Sequence, residues 1–206
     1  MTPSTPLHYL TRSSRFGEFA ILWIECARRP AVRRILLPSG LGPAGIEALF
    51  PGARAGDDPV VDALAREIEA AIGGAPIRFA LSRVDLESCG AFQRRVLEAE
   101  HAIPRGWVAS YGGIAARIGA PRAARAVGRA LATNPFPVVV PCHRAVRGDG
   151  GLGGFQGGVE MKRALLEMEG VAVSPEGRVI RPRLFYTGSG ASNGPHGNAG
   201  KRTGNP

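Results

Sequence analysis

Cysteine is scarce in this chain of 206 residues: Cys26, Cys89 and Cys142 stand far apart, an odd number with no C-x-x-C pair. Neither a disulfide framework nor a zinc ribbon is indicated. The four histidines, His8, His101, His143 and His196, are equally dispersed. A metal would have to be held by residues distant in sequence, and neither metal nor cofactor is expected. No apolar run approaches the length that crosses a bilayer, and the first residues lack the basic start, apolar middle and small-residue cleavage site of a secretory signal. The expectation is a soluble, cytoplasmic chain without a membrane partner.

Negative charge is absent from one long stretch. Between Arg105 and Arg147 there are seven arginines and no Asp or Glu, while acidic residues gather mainly before position 101. The formal net charge of +9 says little by itself, but a one-signed segment suits a polyanionic partner better than an ordinary solvated face. Hydrophobic residues make up 44% of the chain, enough for the core of one generous domain or two small ones.

The organising stretch is Asn134-Pro-Phe-Pro-Val-Val-Val-Pro-Cys142-His143-Arg144. Three valines between prolines read as a short buried run, and Pro141 ends it by removing an amide hydrogen and fixing φ. Neighbouring side chains on a strand point to opposite faces, so Cys142 and His143 can cooperate only if the backbone turns there. A thiol beside an imidazole, Arg144 and Arg147 sits in an electropositive setting that favours thiolate, which makes Cys142 a candidate nucleophile. The plain alternative is a small buried hydrophobe.

Toward the N-terminus, the first dozen residues are polar and read as loose. Phe19–Glu25 and Val32–Leu37 are β-prone runs separated by Arg28-Arg29-Pro30, a hairpin or meander, and Gly40 to Gly56 reads as loop. Asp57-Asp58-Pro59 supplies an N-cap and a proline for the first helical position, Val60, Leu64, Ile68 and Ile72 recur every four residues, and Gly73-Gly74 closes the helix. Ile77, Phe79 and Leu81 alternate as in a half-buried strand continuing toward Leu86. This small α/β unit is expected to span 1–88.

From residue 89 to 186 the period is helical. Phe92, Val96 and Leu97 mark one helix, stopped by Pro104 and Gly106; Ser110 caps a second that buries Ile114, Ala115 and Ile118 before Gly119. Pro121 opens a third, with Ala124, Val127, Gly128 and Leu131 on a buried stripe and Arg122, Arg125 and Arg129 opposite. Two helices, a tight turn and that arginine stripe describe a helix-turn-helix, and Ala123, Ala126 and Ala130 beside the stripe would let a partner come close. A merely solvated arginine face is the alternative.

Arg147 to Gly158 holds seven glycines in twelve residues, suited to tight turns and exposed amides near a ligand or to a plain flexible loop. A last helix should bury Met161, Ala164, Leu165 and Met168 and end at Gly170. Glu169 lies in its final turn, where the helix dipole disfavours negative charge, so it invites a partner, a histidine being one possibility. Residues 187–206 have no apolar period and read as a disordered tail.

Ser110-Tyr111-Gly112, PRAARAVG from Pro121 to Gly128, Asn134-Pro135, PCHR from Pro141 to Arg144, Gly153-Gly154-Phe155, and Leu165-Leu166 with Glu169 together resemble the O6-alkylguanine-DNA alkyltransferases, the methylated-DNA–protein-cysteine methyltransferases. The resemblance runs from about Phe92 to Gly170; the first ninety residues match by layout only. It implies an α/β N-terminal domain of ribonuclease-H-like type and a mainly α C-terminal domain with a winged-helix-like helix-turn-helix.

The resemblance further implies irreversible, single-turnover transfer of an alkyl group from O6 of guanine in double-stranded DNA to Cys142. The protein would act as a monomer with no cofactor. His143 would draw the thiol proton through a water, Glu169 would hold the imidazole, Tyr111 would donate to guanine N3, and Asn134 would brace the cysteine turn. Ala145, Phe155, Gln156 and Gly157 would line the base pocket. Arg125 would fill the stack of a flipped-out base, with Arg122, Arg129, Ala126 and Ala130 also at the DNA. Phe155 stands where the family often has tyrosine and Gln156 where serine is frequent. The rival expectations are a lesion binder that does not repair, against which Cys142 speaks, and a basic thiol hydrolase or oxidoreductase, against which the arginine helix speaks.

Overall fold

The computed structural model describes residues 5–40 and 42–187. The described residues begin with a strand, where the polar composition of the first dozen residues suggested a loose arm. β1 (Leu7–Ser14) pairs antiparallel with β2 (Gly17–Ile24), from Leu7 opposite Ile24 to Ser14 opposite Gly17. Polar residues are tolerated because the Arg12 guanidinium is met by Asp62 and Glu69 while Tyr9 turns into the core. β3 (Ala31–Leu36) joins the other edge of β2, antiparallel as the hairpin pattern predicts. The stretch expected as loop holds helix α1 (Pro43–Leu49), with proline in its first turn, and β4 (Arg54–Ala55), which adds parallel to β1. The sheet order is β3-β2-β1-β4.

Helix α2 (Pro59–Ile72) starts where its cap was read: the Asp58 carboxylate accepts from the amides of Val60 and Val61 at 2.8 and 3.1 Å. Val61, Leu64, Ala65, Ile68 and Ile72 form the buried stripe, and Val60, expected inward, faces solvent. The strand expected over residues 77–86 does not form. Single contacts replace a ladder: Asp85 N–H donates to Val32 O on the outer edge of β3, the Phe79 carbonyl meets His101 Nε2, and the chain between and after them coils into two short 3-10 turns, Leu81–Arg83 and Leu86–Ser88.

The remaining elements are helical apart from one short ribbon. α3 (Ala91–His101), α4 (Tyr111–Arg117) and α5 (Ala124–Ala132) pack on one another. Ser110 caps α4 by accepting from Gly113 N–H at 3.0 Å, and Gly119, at φ +71°, lets the chain leave it. α5 begins at Ala124, not at Pro121, because residues 121–122 are spent on a turn. Ala130, read as flanking the arginine stripe, is buried with Val127 and Leu131, whereas Ala124 and Gly128 are half-buried. β5 (Ala109–Ser110) pairs parallel with β6 (Ala145–Val146), and α6 (Gly158–Met168) closes the fold.

A mixed sheet with its helix thus precedes a helical half. One apolar cluster draws on both: Phe19, Ile21 and Ile68 from the first, Val96, Val127, Phe136 and Leu165 from the second. Across the join, Ile35 N–H donates to Pro135 O at 2.8 Å, so the sheet holds the loop that leads to Cys142. The expected disordered tail lies outside the described residues beyond Thr187. Among the described residues no helix is long and apolar enough to cross a membrane.

Candidate active site

The valine run is buried as expected, and after Pro141 the chain coils into a 3-10 turn over Cys142–Arg144. That turn supplies the change of direction that lets Cys142 and His143 share a site. Asn134 sets the geometry from beneath. Its Oδ1 accepts from Phe136 N–H at 2.9 Å and its Nδ2 donates to Val140 O at 3.1 Å, closing the ends of the loop on one fully buried amide. Within the loop Val138 holds φ at +73°, a region β-branched residues avoid, so the loop's shape is imposed by these surrounding bonds.

Arg144 and Arg147 do not activate the thiol as their place in the sequence suggested. Arg144 turns away to Glu169 and to the Ile103 carbonyl, and Arg147 is exposed and paired with Asp149. Cys142 is 5% exposed. Burial pushes its thiol up to about 12, with the Asn134 side chain and Lys162 opposing that rise. At rest the sulfur is a protonated thiol, and a nearby base must remove its proton for it to attack.

The base is built by His143 and Glu169. His143 Nε2 and Glu169 Oε1 lie 3.0 Å apart, and the same carboxylate accepts from Arg144 Nε at 2.9 Å and Nη2 at 2.7 Å. Burial opposes its charge, but these partners hold Glu169 down at about 2. An ionised carboxylate only accepts, so the imidazole proton sits on Nε2. Nδ1 is left buried with no partner, and desolvation lowers the His143 pKa, so the ring is neutral with one free lone pair.

Cys142 forms part of the wall of an open cavity of about 200 Å³ with Tyr111, Gly128, Leu131, Ala132, Gly154, Phe155 and Gln156. Ala132, Gly154 and Gln156 are exposed at its rim, so the sulfur has a route to solvent despite its low exposure. The β5–β6 ribbon places Tyr111, directly after Ser110, beside the turn that carries Cys142. The Tyr111 hydroxyl, kept neutral because burial raises its pKa, lies where a Cβ on Gly153 would come within 2.7 Å. Only glycine fits there, which is one clear use of the glycine-rich loop. Phe155 stands edge-on to the His143 ring at 6.3 Å between centroids.

Of the expected pocket residues, Ala145 is fully buried behind the turn and Gly157 packs near Met161, Leu37 and Phe155, so neither lines the cavity. The Gln156 side chain ties the rim to the end of α5, donating to the carbonyls of Asn134 at 2.7 Å and Ala132 at 3.1 Å. Arg122, Arg125 and Arg129 are exposed on or just before α5, the helix that gives Gly128, Leu131 and Ala132 to the cavity; Ala126 is half-buried. Two buried charged groups were missed, Glu100 and Lys162, each 0% exposed. Helical period could have found them: Glu100 is four residues after Val96, and Lys162 is three before Leu165.

Fold and site define a protein organised around one thiol in the wall of a cavity, next to a helix with a cationic outer face. Residues 91–171 match the family model described as 6-O-methylguanine DNA methyltransferase, DNA binding domain. The methylated-DNA–protein-cysteine methyltransferase of Methanothermobacter thermautotrophicus is 50% identical over 103 residues, 50% of this chain and 57% of that one. Its Salmonella typhimurium counterpart is 42% identical over 132 residues, 64% of this chain and 66% of that one. The chain therefore spans less than two thirds of these relatives' lengths. The crystal structure of Mycobacterium tuberculosis OGT in complex with DNA superposes with TM-score 0.64 and 34% identity, covering 79% of this chain and 93% of that one. The O6-methylguanine-DNA methyltransferase of Pyrococcus kodakaraensis gives TM-score 0.59 at 27% identity, over 80% and 99% of the two chains. The chain belongs to the 6-O-methylguanine DNA methyltransferase family.

Proposed function

We propose that the protein repairs alkylated DNA by moving the alkyl group from O6 of guanine onto Cys142, once per chain. The observation that carries this reading is the placement of Cys142 in an open cavity beside a neutral histidine whose second nitrogen is bound to an ionised glutamate. In the step, the sulfur–carbon bond forms as the carbon–O6 bond breaks. The electron pair passes to the guanine, and the thiol proton passes through a water to His143 Nδ1. Glu169 steadies the imidazolium so formed, as the carboxylate of a hydrolase triad does. Tyr111, a neutral phenol, donates to guanine N3 as the base takes up charge. No second step releases the thioether, so the protein is consumed.

Double-stranded DNA is the partner in this reading. A base in a duplex is beyond the reach of Cys142, so it must be flipped out at a cost of about a few kcal/mol. The part before residue 89 is taken as a ribonuclease-H-like domain and residues 89–186 as a winged-helix-like domain in which α4 and α5 form the helix-turn-helix. α5 enters the minor groove, Arg125 fills the vacated stack, and Arg122 and Arg129 meet phosphates. The half-buried Ala126 allows the close approach. The protein works as a monomer in the cytoplasm. A lesion binder that leaves the base unrepaired would have no use for the reactive thiol.

Duplex DNA carrying labelled O6-methylguanine tests the reading. At most one label per chain should appear, on Cys142, and Cys142→Ala should lose transfer while still binding DNA. Repeated turnover, or label on another residue, would contradict it.

A further inference from the structure

Behind the cysteine turn lies a pair of charged residues that the proposed chemistry leaves unused. Lys162, on α6, is 0% exposed and its Nζ donates to Ala145 O at 2.7 Å and to Gly154 O at 3.4 Å. It thereby joins the strand that follows the Cys142 turn to the loop at the cavity rim. Glu100, on α3, is also 0% exposed, and neither carboxyl oxygen has a hydrogen-bond partner. The Ala145 amide faces that carboxyl without closing a bond, so Glu100 and Lys162 approach the same residue from opposite helices.

A carboxyl buried without a hydrogen-bond partner is held protonated, because its charged form has lost water and the nearby positive charges of Lys162 and Arg144 offset only part of that loss. The groups whose charges bear on Glu100 come from every element around it. They are Lys162 on α6, Arg144 and Cys142 on the turn, Tyr111 at the start of α4, and Tyr186, whose hydroxyl bonds the carbonyl of neighbouring Ala99. Lys162 favours the Cys142 thiolate and an ionised Glu100 opposes it.

We propose that Glu100 and Lys162 form a buried, electrostatically coupled pair that governs how readily Cys142 ionises, with Glu100 as a positioning residue that restrains the thiol as the medium turns alkaline. At neutral pH the couple carries one net positive charge, an ammonium beside a neutral carboxyl, and that charge draws the thiolate. As pH rises the couple releases its protons, passing through neutrality toward net negative charge, and the attraction turns to repulsion. The purpose of the device rests on Cys142 being the alkyl acceptor, whereas its electrostatics do not.

The test is the rate at which iodoacetamide labels Cys142, read by peptide mass spectrometry so that Cys26 and Cys89 are counted separately. Lys162→Met should slow labelling about tenfold at about pH 7, the effect of one unit charge several ångströms away in a protein interior. The ratio of Glu100→Gln to wild type should rise about tenfold between about pH 7 and pH 10, as only the wild type gains a negative charge. Glu100→Asp should keep the wild-type profile. A ratio independent of pH would reveal a merely structural residue and overturn the proposal, as would unchanged labelling in Lys162→Met. Should Glu100→Gln fail to fold, infrared spectra of the wild type decide: a protonated-carboxyl band present at neutral pH and lost above about 8 supports the couple, and its absence sinks it. Transfer from methylated DNA is measured separately, so loss of the repair reading and loss of this one give different results.

Discussion

His143 gives one ring nitrogen to Glu169 at 3.0 Å and leaves the other, Nδ1, buried without a partner. That asymmetry fixes the tautomer before any substrate arrives. Glu169→Gln should lower the rate of alkyl transfer about a hundredfold or more, the usual worth of a positioned general base. The same change strips the counter-charge from Arg144 and should cost about 3–5 kcal/mol of stability, as when one partner of a buried pair is removed. Single-turnover kinetics, taken in parallel with urea unfolding, separate the two; an unchanged rate in folded protein would remove Glu169 from the mechanism.

Stability should rise, fall and then recover as pH climbs. Glu169 is held at about 2 when folded against 4.5 ordinarily, so its contribution is complete above 4.5 and is lost as pH falls toward 2. His143 is lowered from 6.5, so protonation also penalises the fold below that value. Glu100 runs the other way: raised to about 8 from 4.5, it stays protonated in the fold after the unfolded chain has ionised, and stability falls as pH climbs from 4.5 to about 8. Lys162, lowered to about 8 from 10.5, restores stability above about 8, until Cys142, raised to about 12 from 9.0 and still protonated in the fold, begins to offset that gain above 9. Urea midpoints across pH should show a dip near 8 that the double variant Glu100→Gln, Lys162→Met removes.

Gly153→Ala should damage the site through Tyr111. The new Cβ would lie 2.7 Å from the hydroxyl, and the backbone there holds φ at +67°. The expected result is a loss of about 1 kcal/mol or more in stability and a transfer rate as low as that of Tyr111→Phe. Retained transfer in Gly153→Ala with Tyr111→Phe impaired would show that the loop is free to move aside.

Arg125→Ala should lower repair in duplex DNA at least about tenfold while iodoacetamide still labels Cys142, since the side chain is exposed and is not part of the cavity wall. Its effect should shrink when the lesion is presented in an unpaired strand. Equal losses on both substrates would assign Arg125 to phosphate binding instead.

Local chemistry was legible in the sequence. Asp58 and Ser110 cap the helices they were expected to cap, because a side-chain oxygen and an amide two or three residues further on make a self-contained signal. The valine run ends at Pro141, the arginines of α5 face solvent, and Glu169 at the end of α6 receives a histidine. β1 was hidden because its arginine is neutralised by a helix some fifty residues later in the chain. The expected strand over 77–86 failed for the converse reason: alternation supplies a face, but a strand also needs a ladder, and this stretch makes one backbone bond to the edge of β3 before curling into 3-10 turns.

What the sequence alone determined is the roster of reactive groups and the turn that delivers Cys142, both of which follow from neighbours along the chain. The tertiary structure decided the charge states. It turned Arg144 from the sulfur to Glu169, buried the thiol and raised it to about 12, and set Glu100 and Lys162 behind it. Protonation depends on how much water and which charges surround a group, and those are set by helices that meet only after the chain has folded.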